Sequence, residues 1–184
     1  MPVGALLAAP NDILQKSGAR QAAPLRKHKQ EHHMLSHQEI SDRFEIQDLI
    51  YRYADIIDQK RFDDLRGVFS DDAHIDYSAV GGAVGDKEST IAFLKKALPA
   101  FKCYQHLNAN VQITVHGDIA TGRVMCFNPQ ELMLGKDKSQ LFMLGLWYKD
   151  KYVRTPNGWR MQERVEEMSW HFNAPEFMSF HKKP

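Results

Sequence analysis

A histidine, an aspartate and a tyrosine set among apolar stretches are the residues of this sequence with chemistry to offer. Tyr53 and Asp58 lie in YRYADIID, His106 and Asn108 in HLNAN at the start of an alternating run, and Asn128 directly before Pro129. Acid–base chemistry on a small molecule needs a group that takes and returns a proton and a donor to an oxygen that gains charge. An imidazole, with an unperturbed pKa of about 6.5, serves as base and then acid, and a carboxylate beside it fixes its tautomer and stabilises the imidazolium. His106 and Asp58 are of the right types. A tyrosine such as Tyr53 packs its ring in an apolar wall and turns its hydroxyl to a polar partner. Each residue also has a plainer reading. Tyr53 suits a core, Asp58 a helix end near Arg61, and Asn128 an Asx turn before proline. His106 alternates in phase with Asn108, Asn110, Gln112 and Thr114, a stripe that could face water or a second subunit.

The elements that must position these residues can be read from periodicity. From Ser36 the sequence SHQE has the form of a capping box, and Ile46, Leu49, Ile50, Tyr53, Ala54 and Ile57 recur at helical spacing. At about 100° per residue Asp55 falls on the solvent face and Asp58 at the edge of the apolar face. A second short helix is expected around Phe62 to Phe69, a first strand in AHIDYS, and a third helix from Asp86 to Pro99. From Cys103 the period changes to two. Strands are expected up to His116, over 119–134 and 139–154, and after the Pro156, Asn157, Gly158 turn, since Asn-Gly is a strong hairpin signal. Helices followed by long antiparallel strands predict an α+β fold, a curved sheet wrapped around the N-terminal helices with a cavity between them.

Composition removes several function classes. The chain has 184 residues, 24 Lys plus Arg against 23 Asp plus Glu, and two cysteines. It lacks a basic excess for nucleic acid, the roughly 18-residue apolar run of a membrane span, and the cysteines of a disulfide scaffold. The motifs for phosphate loops, nucleophile elbows and zinc proteases are absent from the sequence, so no cofactor and no metal are expected. Residues 1–37 carry five Lys or Arg against two Asp or Glu, with His28, His32, His33 and His37. They predict a disordered basic tail, followed by one domain over 38–175 and a C-terminal tail over 176–184. Two thiols without a secretory signal predict a cytoplasmic protein, with organellar targeting by the basic tail as the alternative.

The order YRYADIID, RFDDLRGVFSDDAHIDY, HLNANVQITVHGDIATGRV and NGWRMQERVEEMSW resembles a SnoaL-like domain of the nuclear transport factor 2-like superfamily. The resemblance implies a cone-shaped scaffold that carries dehydratases, isomerases, cyclases and noncatalytic subunits of ring-hydroxylating oxygenases. Within it, scytalone dehydratase and bile acid 7-alpha-dehydratase use a helix tyrosine and aspartate with a strand histidine, which match Tyr53, Asp58 and His106. Asn128 stands where the dehydratases keep a polar group. The bile acid enzyme has an arginine where this chain has Met168, which speaks against bile acids and coenzyme A esters. The expected activity is a dehydratase-type elimination on a small hydroxylated cyclic or aromatic carbonyl compound, with an isomerase, a cyclase or a noncatalytic subunit as alternatives. Asn108, Phe127, Met143, Trp147 and Trp170 are the expected substrate contacts beside Asn128. A homodimer is expected, with a trimer as the alternative, because the outer sheet face, with residues such as Arg123 and Tyr148, needs cover.

Overall fold

The computed structural model describes residues 34–178 and residue 180. The tail predicted over 1–37 therefore lies outside the described residues as far as position 33, and so do His28, His32 and His33. The first helix, α1, spans His37–Asp58, with Ser36 as its N-cap. The capping box is complete: the Ser36 hydroxyl accepts from the Glu39 amide at 3.1 Å, and the Glu39 carboxylate accepts from the Ser36 amide at 2.8 Å. Ile46, Leu49, Ile50, Tyr53, Ile56 and Ile57 form its buried face, while Asp55 is exposed. A 3-10 turn over Phe62–Gly67 leads to β1 (Phe69–Asp76) and the short β2 (Val84–Gly85). Helix α2 (Lys87–Ala97) begins at its N-cap Asp86, whose side chain accepts from the Ser89 amide.

Five further strands complete the sheet: β3 (Phe101–Tyr104), β4 (Leu107–His116), β5 (Ile119–Met133), β6 (Ser139–Thr155) and β7 (Gly158–Phe172). The strand order is β2-β1-β7-β6-β5-β3, with β4 also pairing β5. The expected antiparallel strands are present, but β1 runs parallel to β7, so the sheet is mixed. The core lies between the helices and the sheet face bearing Val124, Leu144, Leu146, Tyr148 and Met161, all buried.

On β4 and on β7 an extra residue reverses which face the side chains take. On β4, Ala109 pairs with Met125 but Gln112 pairs with Arg123, and Asn110 takes φ +47°. The bulge turns Val111, Ile113 and Val115 toward the core while leaving Leu107 half exposed. On β7, Gly145 pairs with Trp170 but Leu146 pairs with Met168, so Ser169 is the surplus residue. Such bulges re-aim side chains near sites.

Candidate functional site

A cavity of about 330 Å³ opens between α1, α2 and the sheet. Its apolar wall includes Ile57, Phe93, Leu94, Phe101, Leu144 and Leu146, and its polar atoms come from Tyr53, Tyr77, His106, Asn128, Gln130 and Glu166. Gly81 and Gly82 shape one side. Gly81 sits at φ +79°, and a Cβ on Gly82 would stand 2.5 Å from Tyr77 Cβ, so only glycine lets the chain pass this close to Tyr77.

The end of α1 is tied to β3 and to the link between β3 and β4 that carries His106. Tyr104 Oη donates to the Ile57 carbonyl at 3.0 Å, and Lys60 Nζ donates to the Phe101 carbonyl at 2.9 Å. Asp58 completes the joint. Its Oδ1 lies 2.6 Å from His106 Nδ1, and its Oδ2 accepts the His106 backbone N–H at 3.0 Å. A carboxylate against Nδ1 requires the hydrogen on that nitrogen, which leaves the Nε2 lone pair for the cavity. Asp58 does not pair with Arg61, which bonds Asp55 and Asp64 instead. Asn128 acts on the same joint: its Nδ2 donates to the Gln105 carbonyl at 2.6 Å, and its Oδ1 accepts from Gln130.

A second group of polar atoms is built around Tyr53. Tyr53 Oη and Tyr77 Oη are 2.6 Å apart and buried. One hydroxyl donates to the other, so the acceptor keeps its own hydrogen for a ligand. Burial pushes both phenols well above the usual tyrosine range, which keeps them donors. Arg164, wholly buried, stacks 4.1 Å over the Tyr53 and Tyr148 rings and makes a two-pronged pair with Asp150 at 2.9 and 2.7 Å. Glu166 enters the cavity from β7. Burial, with Asp76 and Asp150 near it, pushes its carboxyl up to about 8 against the pull of Arg164. Its Oε2 is buried and has no protein partner.

The model of the SnoaL-like domain matches residues 38–165. The chain belongs to the SnoaL-like domain family. Uncharacterized proteins of Mycobacterium tuberculosis and Mycobacterium bovis are 49% identical to it over 133 residues, 72% of this chain and 89% of theirs. Among solved structures, the Kfla4162 protein of Kribbella flavida superposes with a TM-score of 0.67 at 29% identity, covering 73% of this chain and 95% of that one. A nuclear transport factor 2-like protein with a cystatin-like fold from Novosphingobium aromaticivorans gives 0.55 at 26% identity, covering 71% and 84%. The hexachlorocyclohexane dehydrochlorinase LinA-type3 of Novosphingobium barchaimii gives 0.64 at 19% identity, covering 79% and 97%, and at that distance shows the fold alone.

In this SnoaL-like chain Tyr53, His106 and Asn128 line one cavity, with Asp58 directly behind His106. The apolar residues expected around the substrate do not line it. Phe127, Met143 and Trp147 sit at odd positions of β5 and β6, whose even positions point inward. Trp170 would follow Met168 inward by alternation, but the bulge at Ser169 sends it outside, where its ring lies 6.0 Å from Phe127 and covers Gly145. Asn108 is turned inward below His106, outside the cavity lining, with both side-chain polar atoms buried and unpartnered. Tyr148, expected on the outer face, is fully buried beside Arg164, whereas Arg123 is outside and stacks on Trp147 at 3.9 Å. Sequence reasoning passed over Tyr77 and Glu166 as cavity groups, and treated residues from 176 on as a tail although Met178 closes part of the wall. Among the described residues no group of three His, Cys, Asp or Glu is placed to hold a metal, and no helix is long and apolar enough to cross a membrane.

Proposed function

We propose that this SnoaL-like protein is a cofactor-independent lyase that eliminates water from a small hydroxylated cyclic or aromatic carbonyl compound. The observation that carries this reading is the double hold of Asp58 on His106 at the wall of an open cavity. His106 Nε2 removes a proton from the carbon next to the carbonyl. The Tyr53 and Tyr77 pair offers its remaining hydrogen to the carbonyl oxygen as enolate charge builds. The C–O bond then breaks, the hydroxyl takes the proton from the imidazolium, and water leaves; Asp58 stabilises the imidazolium in between. An unfilled cavity favours an enzyme over an assembly subunit whose cone is packed with side chains. The same reading gives the protein a second copy as its partner, covering the row Leu107, Phe127, Gly145 and Trp170 that crosses the outer face from β4 to β7.

The test uses 3-hydroxy-1-tetralone, a bicyclic β-hydroxy ketone whose dehydration gives 1-naphthol. Wild-type protein is expected to form 1-naphthol above the uncatalysed rate, and His106→Ala to fall back toward it. In deuterium oxide, 1-tetralone should gain deuterium at its α-carbon with the wild type. Failure of both reactions, across this ketone and its monocyclic and hydroxylated analogues, would return the protein to a binding role.

A further inference from the structure

Glu166 is an acidic cavity group that the elimination chemistry above leaves unused. It is 6% exposed, lines the cavity, and has one carboxyl oxygen buried without a partner. An unpartnered buried polar atom is costly, and native structures retain one chiefly where a ligand, water or function answers it. Titratable groups face it from several elements. Arg164 lies on its own strand, Asp150 and Tyr148 on β6, Asp76 on β1, Tyr77 just after β1, Tyr53 on α1 and Cys126 on β5. Arg164 is already committed to Asp150 through two hydrogen bonds. The Arg164 Nη1 stays buried without a partner and the guanidinium pulls the Glu166 carboxyl pKa downward, yet it forms no hydrogen bond to that carboxyl, and among the described residues no lysine or arginine lines the cavity.

We infer that Glu166 is a specificity-determining hydrogen-bond donor, a neutral carboxylic acid that selects ligands presenting an uncharged acceptor oxygen and rejects carboxylates of the same shape. A neutral acid can donate to a carbonyl or an ether oxygen. Toward a carboxylate ligand the cavity lining offers no cation, the Arg164 charge being matched by Asp150, and loss of the Glu166 proton would set two anions face to face in a largely apolar cavity. The retained proton follows from the same surroundings, since burial and two nearby aspartates hold the carboxyl up to about 8. The inference rests on the cavity being the ligand site of the proposed reading, but it makes no use of the His106 and Asp58 chemistry.

Two measurements test it. In infrared spectra of the full chain, a protonated carboxylic acid band is expected at pH 6.5 that Glu166→Gln lacks and that fades toward pH 9.5. By calorimetry, 1-tetralone, which does not titrate in this range, is expected to bind at pH 6.5 and to weaken about tenfold or more by pH 9 as the donor is lost. Glu166→Gln keeps an N–H donor and cannot ionise, so it should bind the ketone with little change between the two pH values. 1-Naphthoate should bind the wild type at least about tenfold more weakly than the ketone. The inference is overturned by an absent acid band, by equal binding of ketone and carboxylate, by a pH slope that persists in Glu166→Gln, or by no binding of 1-tetralone. Ketone binding of the expected form without any turnover would instead sink the lyase reading and leave this one standing.

Discussion

The Asp58 carboxylate holds His106 at two points, the ring Nδ1 at 2.6 Å and the backbone N–H at 3.0 Å. One side chain at the end of α1 thus fixes both the imidazole and the stretch of chain from which it projects. His106→Ala is expected to lower turnover of a dehydrated substrate by roughly 10²-fold to 10⁴-fold with the fold retained. Asp58→Asn should also cost activity, because its amide has one acceptor oxygen for two donors and cannot stabilise an imidazolium. Steady-state kinetics together with circular dichroism check both.

Tyr53→Phe and Tyr77→Phe each break the buried 2.6 Å contact and strand the surviving hydroxyl. Each is expected to cost about 1 kcal/mol of stability, and the double variant less than the sum of the two. Denaturant melts of the three variants measure this coupling. If the pair serves the carbonyl oxygen, kcat falls by more than the stability loss explains.

Raising the Glu166 carboxyl from its ordinary 4.5 to about 8 makes the native state hold a proton that the unfolded chain releases. Stability contributed by this group is therefore full below about 4.5 and declines as pH rises toward about 8. Urea melts at pH 5 and pH 8.5 should show the wild type weaker at the higher value, and Glu166→Gln should lose most of that difference.

Asn110 occupies the left-handed region at φ +47°. Asn110→Val is expected to destabilise by about 1–2 kcal/mol, whereas Asn110→Gly should stay within a few tenths of the wild type. Thermal melts distinguish the two.

Leu107, Leu141, Trp170 and Phe172 are each about half exposed or more on the outer side of the sheet. A dimer that covers this face should sediment as one species, and Trp170→Lys with Phe172→Lys should release monomers with the cavity intact. A wild-type monomer at all concentrations would remove the second copy.

Local signals in the sequence were strong where the chain itself sets the geometry. The Ser36 box, the Asp86 cap and the Asn157-Gly158 turn each depend on residues a few positions apart, and each stands where periodicity put it. Tyr53, Asp58 and His106 stand out as polar residues on apolar elements, and a family likeness groups them as one site. Strand phase was harder to read. The polar stripe from His106 to Thr114 looked continuous, but the extra residue at Asn110 divides it, leaving His106 and Asn108 inside and Gln112 and Thr114 outside. On β7 the register also shifts between Met161 and Glu163, which brings Arg164 and Glu166 inward. No pattern in a short window could reveal the parallel pairing of β1 with β7, because its partners lie about ninety residues apart.

Arg164 and Asp150 have a consequence for timing as well as position. In water, solvent dipoles must turn whenever charge appears on an oxygen, and that turning is part of the barrier. Here a guanidinium already lies 4.1 Å behind the Tyr53 ring, locked by Asp150 and shut away from solvent. Its field reaches the phenol before any reaction begins. In the proposed elimination, the orientation work that a solvent would do during each turnover is done once, when the chain folds.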